Sequence, residues 1–312
     1  MKPEIKKQII EALEQYMIDH SISQNEVAKR SGVNASYIIE MRKGNYSIGD
    51  VEISNKYFEK IAAMVGFEIR KSYWEIRPTE QLTEIMAELE DAKRNAEART
   101  IIGETGCGKS YAVELFQRKN PNDTFVITVS QLDSIGDILD KIIDKLNITP
   151  EKGKSKKLRS IIARLREMKF DGKQPLLIFD ECEFMKQPAL CAMKELYADL
   201  IVPKICGLVL LAHRQFIRNV EKLCKKDKEG IPQLYRRIKF GIRQLAPIDR
   251  NYTAFLENIE DRKLRKFLQT ECKNYGELHD VLVSALREAD RLNEPISESF
   301  VRRLFNIPDT AY

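Results

Sequence analysis

Residues 103–110 read Gly-Glu-Thr-Gly-Cys-Gly-Lys-Ser, a complete G-x-x-x-x-G-K-S phosphate-binding loop. Its glycines allow a tight turn with inward-pointing N–H groups, its lysine adds a mobile positive charge, and its serine offers a hydroxyl to Mg²⁺. We therefore expect ATP and Mg²⁺ as cofactors, with Lys109 catalytic and Ser110 a metal ligand. The predicted nucleotide-binding residues are Gly103, Glu104, Thr105, Gly106, Cys107, Gly108, Lys109, Ser110 and Tyr111.

The flanks of the loop fit a nucleotide site. The β-branched run at 99–102 predicts a strand, and residues 111–119 have the apolar spacing of a helix. A loop between a strand and a helix N-terminus is the context in which this motif binds phosphate. A second motif is still needed to define the chemistry.

That second motif is Leu-Leu-Ile-Phe-Asp-Glu at 176–181, an apolar strand that ends in two carboxylates. The strand is apolar on both faces, as a central strand of a parallel sheet must be, and it delivers its acids to the carboxyl edge where such sheets bind ligands. We expect Asp180 to bind the metal and Glu181 to activate water as general base. The pair indicates hydrolysis rather than nucleotide binding alone.

Beyond the loop, strands alternate with helices, which predicts an α/β fold with a parallel sheet. Strands are predicted at 124–129, 176–180, 205–212 and 238–245, with helices at 134–146, 157–168 and 188–200. From 247 onward the pattern is purely helical, with segments near 250–258, 261–272, 276–291 and 297–305. We expect these last helices to form a lid over the nucleotide.

The segment before the phosphate loop contains Trp74, the only tryptophan, and then an amphipathic helix. Leu82, Ile85, Met86 and Leu89 recur at helical spacing, so the helix is expected to pack on the ATPase core. The predicted domains are an N-terminal module at 1–68, a linker and amphipathic helix at 69–98, an ATPase core at 99–246 and a helical lid at 247–312.

Residues 24–44 have the spacing of a helix-turn-helix, with Ala28 between the helices, Gly32 in the turn and Ile38 inside. They resemble the DNA-binding module of phage repressors. The side chains expected to face a major groove are Asn34, Ser36, Tyr37, Glu40 and Arg42. The alternative is a protein-docking module, since the second helix has few basic residues.

Charge is concentrated in two stretches of a chain of 312 residues with a net charge of only +5. Residues 151–173 hold nine Lys or Arg against three acids, and residues 214–243 hold ten against three. A polyanion partner is one interpretation, and solvated helix faces are the other.

Composition excludes several classes. No apolar run reaches the roughly 18 residues that a membrane span needs, and the N-terminus does not read as a signal peptide. Six cysteines without a C-x-x-C pair and three scattered histidines predict reduced thiols and no structural metal. We expect a soluble, intracellular protein that is not associated with a membrane.

In motif order the chain resembles AAA+ ATPases, and more specifically the phage Mu B transposition protein family. The resemblance is carried by the N-terminal module, the phosphate loop, the strand ending at Glu181, the segment 234–238 and the helical C-terminus. It implies a protein that polymerises on double-stranded DNA with ATP as a filament. It also implies that the protein selects the integration target, activates a transposase and is released on hydrolysis. The location that it implies is the cytoplasm of a bacterium or bacterial host, in association with the nucleoid.

The resemblance also assigns roles to individual residues. Arg237 matches the arginine finger that enters a neighbouring subunit's site, with Arg236 or a plain surface arginine as alternatives. The lysines that match the region contacting the DNA backbone, largely without sequence preference, are Lys152, Lys154, Lys156 and Lys157.

Two positions depart from the family pattern. His213 stands where a polar sensor residue follows a core strand, and it either takes that role or is an ordinary polar group. His279 replaces the lid's sensor arginine, so contact between the lid and phosphate is expected to be weak or to use Arg287. Both histidines are predicted to bind nucleotide.

Two other functions stay open at the level of sequence. A helicase loader shares the AAA+ core and DNA binding. A helix-turn-helix transcription regulator would use the ATPase domain as a ligand sensor. ATP-dependent protection of arbitrary duplex would favour the target activator over both.

Overall fold

The computed structural model describes residues 1, 3–49, 51–67 and 73–308. Its contacts divide the chain into two units, Met1–Ser72 and Tyr73–Tyr312. The first division between compact units therefore falls a few residues beyond the boundary that the sequence predicts at 68. No second division separates the C-terminal helices from the sheet.

The N-terminal unit consists mainly of helices. These are α1 (Pro3–Asp19), α2 (Gln24–Ser31), α3 (Ala35–Arg42) and α4 (Asn55–Val65). Gly32 ends α2 with a left-handed φ of 63°, and its N–H donates to Ala28 O. The positions predicted as core are buried, including Val27, Ile38 and Met41. Helix, turn and helix thus lie where the spacing of the sequence predicts them.

A small antiparallel ribbon in this unit was not predicted. Its strands are β1 (Ser47–Ile48) and β2 (Val51–Glu52), and Gly49 between them has a φ of 59°. The Lys6 ammonium, nearly buried, donates to Glu52 at 2.7 Å. The described part of this unit is therefore helical apart from the ribbon, whose two-residue strands are too short to produce an alternating pattern in the sequence.

The larger unit is built on a five-stranded parallel sheet. Its strands are β3 (Ala98–Ile102), β4 (Thr124–Thr128), β5 (Leu176–Asp180), β6 (Gly207–Ala212) and β7 (Ile242–Gln244), in the order β4-β5-β6-β3-β7. β5 and β6 are buried throughout. Because all strands run in parallel, the phosphate loop after β3 and the carboxylates at the end of β5 meet at one edge.

Helices cover both faces of this sheet. They are α5 (Glu80–Asn95), α6 (Lys109–Lys119), α7 (Ile135–Leu146), α8 (Lys154–Phe170), α9 (Gln187–Leu196), α10 (Arg214–Lys225) and α11 (Ile231–Ile238). Buried side chains of α7, α8 and α9 pack against one face of the sheet, and those of α5 and α6 pack against the other. A π-helical turn, Tyr197–Ile201, follows α9.

Helix α5 lies directly on the sheet, as its amphipathic spacing predicts. Ile85, Leu89 and Ala92 are fully buried. A Cβ placed on Gly207 of β6 would come within 2.5 Å of Ala92 O, so only glycine permits this close approach. The segment is a structural part of the ATPase unit.

The C-terminal helices share a core with the sheet. They are α12 (Thr253–Leu256), α13 (Arg262–Glu271), α14 (Tyr275–Leu292) and α15 (Glu298–Phe305). Leu264, Leu278 and Val301 are fully buried in the cluster that also holds Ile101 and Val113. The predicted lid therefore packs continuously with one face of the sheet.

Three sequence-predicted elements differ in extent. The strand expected at 238–245 shrinks to 242–244, because Ile231, Leu234 and Ile238 are spaced for burial on a helix. Helix α8 begins at Lys154 rather than 157, and the helix expected at 250–258 is only one turn long. Among the described residues, no helix is both long and apolar enough to cross a membrane.

Candidate nucleotide site

The phosphate loop lies between the end of β3 and the start of α6. Gly106 and Gly108 have φ values of 71° and 95°, left-handed conformations that other residues adopt at a cost. Helix α6 begins at Lys109, so its unpaired N–H groups face the loop. Positive φ values next to a helix N-terminus suit phosphate binding.

A cavity of about 410 Å³ opens beside this loop. Most of the predicted nucleotide-binding residues line it, namely Thr105, Gly106, Cys107, Gly108, Lys109, Ser110 and Tyr111. Gly103 and Glu104 do not line it, but their carbonyl oxygens each accept a hydrogen bond from Lys109 Nζ at 2.9 Å. The volume falls in the range of small-molecule sites.

Cys107 contributes its main chain rather than its thiol. The side chain is 2 % exposed, and burial raises the pKa of the thiol above its usual value. A Cβ on Gly103 would lie within 2.8 Å of Cys107 Sγ, so the thiol fills the space under the loop. A neutral thiol in this place packs the loop against the core.

The two nucleotide motifs are in direct contact. Ser110 Oγ donates to Asp180 Oδ2 at 2.6 Å. Asp180 is 6 % exposed, and its other oxygen accepts the Glu181 N–H at 2.9 Å. Hydroxyl and carboxylate oxygens at this spacing are the hard donors that Mg²⁺ takes in nucleotide sites. The two residues predicted as metal ligands are thus brought together.

Glu181 lies beside Asp180 in a constrained conformation. Its φ is 59°, unusual for a non-glycine residue, and it lines the cavity. Burial raises the pKa of this carboxyl, and the charges of Asp180 and Glu183 raise it further, while Lys109 lowers it. A carboxylate with a raised pKa is a better proton acceptor, which is what a general base needs.

Glu183 is a site residue that the sequence motifs did not reveal. It lines the cavity, and its Oε2 accepts the His213 N–H at 3.2 Å. The His213 ring caps α10 by accepting a long hydrogen bond of 3.5 Å from the Gln215 N–H. Among the described residues that line the cavity, His213 is absent, so its link to the site runs through Glu183.

Part of the cavity lining is aromatic. Trp74 stacks on Phe255, with ring centroids 4.6 Å apart at an angle of 18°, and meets His279 edge-on at 5.0 Å. Tyr275 adds a fourth ring. His279 therefore lines the cavity, where it stands among rings and pairs with Asp280 at 2.9 Å.

The cationic groups that line the cavity are few. Among the described lining residues they are Lys109, Arg77 and, when protonated, His279. Arg77 is held by Glu75 at 3.1 Å and Glu257 at 3.9 Å. Arg287, considered as a substitute for the lid's sensor arginine, is exposed on α14 and does not line the cavity.

Both candidate finger residues lie on the last turn of α11. Arg237 donates to Lys194 O at 2.7 Å, and its guanidinium lies 5.3 Å from the centre of the Tyr197 ring. Arg236 is more exposed, and no ion pair joins it to a described residue. A single chain therefore leaves Arg236 freer to reach a neighbour than Arg237.

Three of the candidate DNA-contacting lysines, Lys154, Lys156 and Lys157, lie in the first turn of α8, and Lys152 lies just before the helix. Lys152, Lys154 and Lys156 are exposed, whereas Lys157 is paired with Asp140 at 2.5 Å. Gly153 provides no side-chain cap, and no acid occupies the first turn. Lysines at a helix N-terminus are unfavourable beside its dipole, so a nearby anion would stabilise them.

In the N-terminal unit the candidate DNA contacts already have partners. Asn34 caps α3 by accepting from the Ser36 N–H and hydroxyl. Arg42 is bound bidentately by Glu14. Tyr37 makes a ring contact with Tyr57, and Glu40 forms an ion pair with Lys43.

Comparison with known proteins agrees with this site. An AAA domain model matches residues 92–220. The Mu-like prophage FluMu DNA transposition protein B of Haemophilus influenzae is 27 % identical over 264 residues, which cover 83 % of this chain and 81 % of that protein. Both matches include the phosphate loop and the acidic strand.

Solved structures show the same fold at low sequence identity. The ORC2 protein of Aeropyrum pernix, in ADPNP and ADP complexes, aligns with a TM-score of 0.54 at 15 % identity, over 76 % of this chain and 71 % of that one. The ORC1 protein of the same organism, in complex with DNA, aligns at 0.56 and 14 % identity, over 76 % and 67 %. Together with the AAA domain match, they confirm the AAA+ fold of an ATPase, and the chain is similar to the DNA transposition protein B of Mu-like prophages, as the resemblance to the Mu B family predicts.

Proposed function

We propose that this ATPase assembles on target DNA with ATP, delivers that DNA to a transposase and leaves it on hydrolysis. The observation that carries the proposal is the contact between the phosphate loop and the Asp180–Glu181 pair in a chain whose relative is a transposition protein. A hydrolytic site gives such a protein a time limit on DNA. The bacterial relative supports the bacterial cytoplasm as the working compartment.

The donor set fits Mg²⁺. Ser110 Oγ and Asp180 Oδ2 are 2.6 Å apart, and both are hard oxygen donors. Mg²⁺ bound there would neutralise charge on the phosphate oxygens. The chain itself supplies Lys109 for the phosphates and Glu181 to orient and deprotonate the attacking water.

The aromatic part of the cavity lining is suited to binding the base of the nucleotide. The rings belong to Trp74, Phe255 and Tyr275, and they line the same cavity as the phosphate loop. Trp74 precedes the sheet and Phe255 belongs to the C-terminal helices. A base placed among them would therefore touch both parts of the ATPase unit.

We infer that the enzyme works as an oligomer. An arginine from α11 of one subunit would neutralise phosphate charge in the site of the next. The family pattern favours Arg237 as this arginine, whereas the greater exposure of Arg236 favours the alternative.

The DNA contacts that we propose are phosphate contacts. Lys152, Lys154 and Lys156 offer exposed charges at the start of α8, and Lys157 would have to exchange Asp140 for phosphate. Such contacts do not depend on base order, which suits a protein that accepts many targets. Many weak sites in a filament add to a tight complex, and that advantage is lost when subunits separate.

The N-terminal unit is proposed as an accessory DNA-binding module. Its candidate residues are Asn34, Ser36, Tyr37, Glu40 and Arg42, of which Arg42 would need to release Glu14 to reach a phosphate or base. Docking to another protein is the competing use of the same helix pair.

Electron microscopy of the protein with random-sequence duplex and ATP tests this function directly. We expect continuous ATP-dependent filaments and uniform protection of the duplex from nuclease. Protection confined to one palindromic site would instead indicate a transcription regulator. A helicase loader would show a stable complex with a replicative helicase and no filament on naked duplex.

A further inference from the structure

Helix α10 carries a row of cations that the proposed function leaves unused. Arg214, Arg218, Lys222 and Lys225 are all exposed, and they follow one another at steps of four, four and three residues. Residues at these steps lie on one face of a helix. We define these four residues as the α10 stripe.

The stripe does not contribute to packing. The opposite face of α10 holds Phe216 and Val220, which are buried, and Ile217, Leu223 and Cys224 pack beside them. None of the four cations forms an ion pair with a residue that the structure describes. Glu221, the only acid on the helix, accepts a hydrogen bond from Tyr235 at 3.2 Å.

Holding these charges together opposes folding. Like charges four residues apart on a helix repel, and Arg214 stands in the first turn, where the helix dipole is positive. A row of anions along the stripe would reverse both effects. The eleven helical steps from Arg214 to Lys225 span about 16 Å, the axial length of about five phosphates of one duplex strand.

The surroundings of the stripe favour nucleic acid over an acidic protein. Protein interfaces have an apolar centre, whereas protein–DNA interfaces are polar and positive. Among the described residues, no large hydrophobic side chain on α10 is exposed. The uncharged neighbours on this side, Gln215 and Asn219, bond to each other at 2.8 Å.

We propose that the α10 stripe binds the phosphate backbone of DNA, as a second contact surface besides the start of α8. The inference rests on the proposed function and extends it to a named surface. The stripe begins one residue after His213, whose N–H donates to Glu183 of the nucleotide cavity. DNA at this surface would therefore lie next to the nucleotide site.

The salt dependence of DNA binding tests the stripe. We compare the wild type with Arg218→Ala/Lys222→Ala and with Arg262→Ala/Lys266→Ala, a control on α13 that removes the same two charges from exposed positions. In the presence of ATP, the logarithm of the binding constant for random duplex is measured against the logarithm of salt concentration. Each lost phosphate contact makes this negative slope shallower by about 0.9. The slope of the stripe variant should therefore become shallower by about 1.8, and that of the control should not change.

Each outcome decides between the two proposals. If the wild type fails to bind duplex, the proposed function falls and the stripe with it. If the wild type binds duplex but the stripe variant has the salt slope of the wild type or of the control, only the proposal about the stripe is refuted. ATP turnover without DNA verifies that each variant is folded. If the double variant is unstable, the single variant Lys222→Gln replaces it, and the magnitude of its salt slope should fall by about 0.9.

Discussion

The side chain of Asn274 lies against Gly106 of the phosphate loop. A Cβ on Gly106 would come within 2.2 Å of Asn274 Oδ1, the atom that also caps α14 by accepting the Glu277 N–H at 2.9 Å. The same atom therefore fixes the start of the last long helix and closes over the loop. The C-terminal helices thus contact the phosphate loop itself through a helix cap.

Replacing Gly106 by alanine should abolish ATP binding. The added methyl group would displace Asn274, and the φ of 71° would cost about 1–2 kcal/mol in addition. Calorimetric titration with ATP measures the effect. The matched control is Gly172→Ala, which has a φ of 80° with nothing within 4 Å of its Cβ. It should lower stability and leave ATP affinity intact; equal ATP affinities in the two variants would refute the Asn274 contact.

Trp74 should report nucleotide binding directly, since it is the only tryptophan and lines the cavity. ATP should change its fluorescence. Trp74→Ala should weaken ATP binding by about two- to tenfold, the value of one aromatic contact, and Trp74→Phe should retain most of the affinity. Unaltered affinity in Trp74→Ala would place the base elsewhere.

The pH dependence of hydrolysis should reveal the environment of Glu181. Burial and the charges of Asp180 and Glu183 raise the pKa of Glu181, and a general base loses activity as pH falls through its pKa. The acid limb of kcat/KM should therefore lie above the ordinary range of a glutamate. Glu183→Gln removes one raising charge and should move that limb to lower pH. A limb that stays in place would assign it to another group.

Arg236 and Arg237 should differ in what their loss does. Arg237 holds the end of α9 through Lys194 O, so Arg237→Ala should lower thermal stability as well as any activity. Arg236→Ala should leave stability unchanged. If Arg236 is the finger, Arg236→Ala should abolish turnover. Mixing the Arg236→Ala protein with a Lys109→Ala protein should then restore activity, because the arginine of a Lys109→Ala subunit can enter the intact nucleotide site of an Arg236→Ala subunit. No rescue by mixing would contradict catalysis between subunits.

The sequence predicted what depends on local rules. The loop at 103–110, the strand ending in Asp180 and Glu181, and the two helices around Gly32 each follow from nearby residues, and the structure has them in place. Trp74, Glu183 and Asn274 escaped prediction because their roles arise from packing between segments up to 200 residues apart. His213 and His279 were identified by position, yet one caps a helix and the other stands in an aromatic cluster.

The same limit explains the misjudged boundaries. A run such as 238–245 suits a strand by composition, but burial of Ile238 with Ile231 and Leu234 extends α11 instead. Lysines at 154–157 read as a loop before a helix, because nothing in the sequence caps that helix. Tertiary packing overrode local preference in both places.

The dissociation of Glu181→Gln from DNA tests the central claim, that hydrolysis limits the time on DNA, most directly. The variant keeps Lys109, Ser110 and Asp180 and should bind ATP normally, while water activation is lost. After dilution into competitor DNA with ATP present, we expect the wild type to leave random duplex at the rate of its turnover. Glu181→Gln should stay bound about a hundredfold longer or more, since a hundredfold is about the smallest effect of losing a general base. Dissociation of the variant at the wild-type rate would contradict release by hydrolysis.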